Sequence, residues 1–148
     1  MTFDLPAASH SYLERAAASL REAITSTDVP LRYAHAHVAA LRATAALLAA
    51  RAVPASGRRG RTQRNAWVLL AEVAPELAEW AAFFSAGAAK RAAAEAGSRR
   101  AVTEREADDL VRDADRFLGL VEEALGMARH VPFQETLPTE PPAGWRVA

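Results

Sequence analysis

The chain contains no cysteine, which removes structural disulfides, thiolate zinc sites and cysteine nucleophiles together. Lysine occurs once, at Lys90, so every other permanently positive side chain is arginine. With the heavy use of alanine, this is the composition of a GC-rich coding sequence. Long apolar runs are missing too: no uncharged stretch approaches the roughly twenty residues of a membrane span. The opening MTFDLPAASHSY lacks the basic region and apolar core of a signal peptide. A soluble, cytoplasmic protein with no membrane partner is expected. A Gly-rich phosphate loop is absent, because Gly57 and Gly60 flank arginines with no strand before them and no Lys-Ser/Thr pair after. The Glu-x-x-His pairs of a carboxylate-metal bundle are absent as well, so neither a metal nor another cofactor is expected.

What is present is helical periodicity. Between Asn65 and Ala96, Trp67, Leu70, Ala74, Leu77, Ala81 and Phe84 recur in steps of three and four, which sets them along one seam of a helix. Val68, Trp80 and Phe83 widen that stripe, so this helix is expected at the centre with neighbours on more than one side. Pro75 lies inside the pattern and predicts a kink or restart. Gly97 and Ser98 close the helix. A first helix, capped by Ser9 or Ser11, carries Leu13, Ala16, Ala17, Leu20 and Ile24 and ends near Ser26. Asp28 followed by Pro30 starts a second, running to about Arg51 with Ala34, Val38, Leu41, Ala45 and Leu48 as its narrow seam. Thr103-Glu104-Arg105-Glu106 is a capping box and opens a last helix through Ala107, Leu110, Ala114, Phe117, Val121 and Ala124 or Leu125, its acids on the solvated face.

These elements predict an all-α fold, a four-helix or five-helix antiparallel bundle, in one domain of 148 residues. The expected organisation is an N-terminal arm over 1–8, the bundle over 9–130 and a Pro-rich tail over 131–148. That tail is either extended, with Phe133 or Trp145 anchored on the bundle, or disordered.

Eighteen basic and eighteen acidic residues cancel, so no global attraction for nucleic acid or acidic lipid arises. The charges are nevertheless segregated. Val53 to Arg64 reads as a loop with Arg58, Arg59, Arg61 and Arg64 and no acid, while Glu104 to Glu123 holds eight acids and three arginines. The loop's guanidinium groups could contact phosphates without reading sequence, or merely be solvated. The acidic face is read as solvated, or as meeting the basic loop of a second subunit in a two-fold dimer. The one histidine cluster is Arg32-Tyr33-Ala34-His35-Ala36-His37. A phosphodiester chemistry would use Arg32 to stabilise charge and His37 to move a proton. The alternative is a core His37 bonded to a backbone carbonyl. Arg32 and His37 are about 140° apart on a regular helix, which favours the latter.

RYAHAHVAALRATAALLAAR (Arg32 to Arg51), AWVLLAEVAPELAEWAAFFSAGAAKRAAAEAG (Ala66 to Gly97) and TEREADDLVRDADRFLGLVEEAL (Thr103 to Leu125) together resemble an HEPN domain, the "higher eukaryotes and prokaryotes nucleotide-binding" family, in its actinobacterial branch. The resemblance implies a helical bundle that commonly dimerises. Where active, it is a metal-independent ribonuclease with an Arg, four to six residues and a His near the start of a late helix. Here the late helix has Arg99, Arg100 and Arg105 but no histidine before His130, and only Arg32 to His37 has that spacing, on an earlier helix. Three functions follow as expectations. The first is a non-catalytic or degenerate HEPN-like module that binds nucleic acid, RNA rather than DNA, or a protein partner, as a homodimer. The second is an HEPN-type ribonuclease in a toxin or defence setting, using Arg32 and His37. The third is an interaction scaffold whose Trp145 tail docks on a partner.

Overall fold

Asp28 sets the start of the longest helix. Its Oδ2 accepts from the Leu31 amide at 3.1 Å, and Pro30 sits in the first turn, where a missing N–H leaves nothing unpaired. The computed structural model describes residues 4–51 and 65–133. Among the described residues the chain forms α1 (Ala7–Thr25), α2 (Val29–Ala50), α3 (Ala66–Val73), α4 (Ala78–Ala86), α5 (Ala88–Glu95) and α6 (Glu104–Ala124), with no strand. The fold is all-α, as the periodicity predicts. No described helix is long and apolar enough to cross a membrane.

The helix expected between Asn65 and Ala96 is three helices. Its first break falls at Pro75 as the sequence implies: Ala74 leaves helical geometry, and a 3-10 turn spans Pro75–Leu77. The second break, at Gly87, coincides with tertiary contacts. The Phe84 carbonyl that ends α4 also takes the His37 ring, with Nε2 at 3.0 Å. A Cβ on Gly87 would stand 2.9 Å from the Tyr33 hydroxyl, so a larger residue there would require that side chain to shift. The predicted apolar seam itself is buried, from Trp67 through Leu70, Ala74, Leu77 and Ala81 to Phe84. Val68 and Phe83, expected to widen it, are about half exposed.

The hub is α2, not the tryptophan-bearing stretch. It packs against α1, α3, α5 and α6, and its buried residues include Tyr33, Ala36, His37, Ala39, Ala40, Ala43, Ala46 and Leu47, which face more than one side. Of the expected seam Ala34 is buried, whereas Val38, Leu41, Ala45 and Leu48 are only partly buried. Small side chains let neighbouring backbones approach closely on the other faces, which outweighs the larger apolar area of Val38, Leu41 and Leu48.

Two further expectations are corrected. Ser9 does not cap α1: the helix begins after Pro6, whose carbonyl takes the Ser9 and His10 amides. Ser9 is buried and donates its hydroxyl to the Ala46 carbonyl at 2.9 Å, fastening α1 to α2. On α6 the capping box forms in full, but its acids are not all solvated, because Asp115 and Glu122 are buried. Trp67, Phe84 and Phe117 close the core, with Phe84 about 5 Å from each of the others by ring centroid; each such aromatic pair adds about 0.5–1.5 kcal/mol beyond area burial.

Candidate functional site

Arg32 lies one turn into α2 and is committed to structure. Its Nε and Nη2 donate to the Ser26 carbonyl at 3.2 and 3.1 Å, and its Nη1 reaches Asp108 at 2.7 Å. It therefore ties the α1–α2 turn to α6 and has 15% of its side chain exposed. His37 points elsewhere, into the core, with 1% exposure. Its ring meets Trp67 and Phe84 edge-on. Because the Phe84 carbonyl can only accept, Nε2 carries the proton and Nδ1 is left as a buried acceptor without a partner among the described residues. Burial lowers its pKa below the ordinary 6.5, and Arg91 adds to the shift. Arg32 and His37 thus engage separate partners. His35 instead pairs with Glu22 of α1 through Nδ1 at 3.2 Å.

Beside His37 a cavity of about 390 Å³ opens between α2, α5 and α6, lined among others by Tyr33, Gly87, Lys90 and Glu106. Lys90 forms an ion pair with Glu106 across its edge. The same Glu106 accepts from the Thr103 amide in the capping box, and Lys90 first and that amide second pull its carboxyl down to about 2. Tyr33 is buried, and desolvation raises its phenol.

The strongest polar cluster was missed by sequence reasoning. After α6, Gly126 takes a left-handed conformation (φ 78°) and turns the chain back, so that His130 lies between two buried carboxylates of that helix. Its Nδ1 meets Glu122 and its Nε2 meets Asp115, both at 2.5 Å, and its amide donates to Glu122 at 2.9 Å. The Phe133 amide adds a bond to Asp115 at 3.1 Å, and Arg21 of α1 lies 5.7 Å over the Phe133 ring. The Asp115 bond, then Glu122, raise the His130 pKa against the opposing effect of burial. With both nitrogens engaged, this imidazole clamps the chain after α6 and has no free edge for a substrate. A signal was available: Asp115 and Glu122 are seven residues apart, hence on one face, and directly follow the core positions Ala114 and Val121.

The arginines predicted to contact phosphates, Arg58, Arg59, Arg61 and Arg64, lie outside the described residues, as does Trp145. A family model described as HEPN_SAV_6107-like HEPN matches residues 23–122, from the end of α1 through nearly all of α6. The chain belongs to this HEPN family, a class of nucleotide-binding or ribonuclease-like helical modules. No curated relative and no solved structure matches it.

Proposed function

We propose that the chain is a non-catalytic HEPN module that acts as a homodimer and binds RNA, or a protein partner, through surfaces outside the core. The observation that carries this reading is the state of the Arg32 and His37 pair. A phosphate-stabilising arginine needs free donors, and a proton carrier needs an accessible nitrogen with a pKa near neutrality. Arg32 spends its donors on Ser26 and Asp108, and His37 is buried, neutral and bonded to Phe84. The arginines at 58, 59, 61 and 64 supply the charge for phosphate contacts.

Fluorescence anisotropy with single-stranded RNA across a salt series tests the binding half. Replacing Arg58, Arg59, Arg61 and Arg64 with alanine should weaken binding and lower the slope of log affinity against log salt by about 3. Unchanged affinity would leave only the protein-partner reading. Incubation with RNA in EDTA between pH 5 and 9 tests the catalytic half: no cleavage is expected. Cleavage lost in the His37→Ala variant, with that variant still folded, would favour the ribonuclease reading.

A further inference from the structure

After the turn at Gly126, residues 127–133 return along α6, and polar contacts to that helix hold them there. His130 lies between Asp115 and Glu122, its amide also reaches Glu122, and the Phe133 amide reaches Asp115. Arg129 pairs with Glu123, but both side chains are about half exposed, so that pair contributes little. The Arg129 stem lies over Gly119, a buried glycine in the interior of α6. Apolar anchorage is thin: Val131 is 61% exposed, and Met127 and Phe133 are only partly buried against the core. A segment with few buried apolar contacts opens at a lower free energy than the helices it lies on.

The clasp also has a chemical requirement. A carboxylate only accepts hydrogen bonds, and a neutral imidazole has one N–H to give. Both His130 nitrogens face carboxylate oxygens at 2.5 Å, so only the doubly protonated ring donates to both. Losing one proton sets a bare ring nitrogen against a carboxylate oxygen and removes the positive charge between two buried acids. The neighbouring cations are engaged elsewhere: Arg21 of α1 lies over the Phe133 ring, and Arg129 is paired with Glu123. We propose that residues 127–133 are a strap that opens from α6 and α1 when His130 gives up its second proton, while the helices stay folded.

The closed form holds that proton more tightly than the open one, because Asp115 and then Glu122 raise the His130 pKa above 6.5 against the effect of burial. The strap is therefore shut below pH 6.5, and its closure weakens as pH rises through the closed-state value. Opening returns Asp115 and Glu122 to water and uncovers Gly119, which lies on the same face of α6 between them. An acidic helix face is thus covered at low pH and exposed at high pH. This inference does not rest on the RNA-binding reading, whose arginines at 58, 59, 61 and 64 it does not invoke.

The test is residue-resolved amide hydrogen exchange of the full-length protein between pH 6 and 9, each amide being compared with its rate in an unstructured peptide of the same sequence. Above pH 6.5, protection at His130 and Phe133 should fall by up to about tenfold per pH unit, while Phe117 and Val121 in α6 keep theirs. His130→Gln should leave the strap unprotected at every pH with the α6 amides still protected. Glu122→Gln, whose carboxamide can donate to the bare ring nitrogen while its oxygen still accepts from the His130 amide, should keep the strap protected at pH 8. Strap protection that is constant between pH 6 and 9, that falls in step with Phe117 and Val121, or that keeps its pH dependence in His130→Gln would overturn the proposal.

Discussion

His37 and His130 are both largely shielded from water, yet their surroundings shift their pKa values in opposite directions. His37 stands among Trp67 and Phe84 with one carbonyl for company, and its pKa is depressed. His130 stands between Asp115 and Glu122, and its pKa is raised. Burial alone does not decide a histidine's role; the neighbours within hydrogen-bond reach do. The first histidine is a piece of core that happens to have polar atoms. The second is an ionic clasp that holds the segment after α6, at His130 to Phe133, to that helix and, through Phe133 and Arg21, to α1.

The largest effect expected from breaking this contrast is at His37. His37→Ala removes the ring between Trp67 and Phe84 and vacates core volume, for a loss of about 3 kcal/mol in urea unfolding. His130→Ala leaves Asp115 and Glu122 facing each other without their cation, with a loss of about 2 kcal/mol; the partial exposure of the clasp makes it smaller than for a fully buried ion pair. The pH dependence separates the two further. For His130 the folded pKa is raised above 6.5, so its stabilisation is complete below pH 6.5 and is lost as pH rises through the folded value. For His37 the folded pKa is lowered, so stability falls as pH drops below 6.5. The natural protein should therefore have a stability maximum near pH 6.5 from these two groups. His130→Ala should remove the alkaline limb and His37→Ala the acid limb, with slopes of at most about 1.4 kcal/mol per pH unit. Smallest is Arg32→Ala, expected to cost about 1 kcal/mol by freeing the Ser26 carbonyl and Asp108. That variant should leave RNA affinity unchanged, which separates its fastening role from a phosphate-binding one.

The same contrast shows what can be read from a sequence. Local rules were legible because they act within a few residues: the Asp28 and Thr103 caps, the Pro75 break and the buried seam from Trp67 to Phe84 all stand where the spacing puts them. What could not be read depends on contacts between distant segments. Ser9 has the chemistry of a cap, but a carbonyl on α2 claims its hydroxyl. Gly87 interrupts a good helical pattern where Tyr33 and His37, from a distant part of the chain, meet the end of α4. Alanine hid the hub: α2 is buried on several faces by residues that rank low as hydrophobic signals, so the larger side chains of the tryptophan stretch drew attention instead. At the candidate site, the Arg-to-His spacing was visible, whereas the clasp needed the chain reversal at Gly126 to bring His130 back to Asp115 and Glu122.

The most direct test of the non-catalytic reading is nitrogen NMR of the two imidazoles across pH 5.5 to 8, in the absence and presence of RNA. His37 should titrate below its ordinary 6.5, with the proton of its neutral form on Nε2, and its signals should not respond to RNA, while His130 stays doubly protonated past its ordinary value of 6.5. A His37 that titrates at or above 6.5 and shifts when RNA is added would contradict the account.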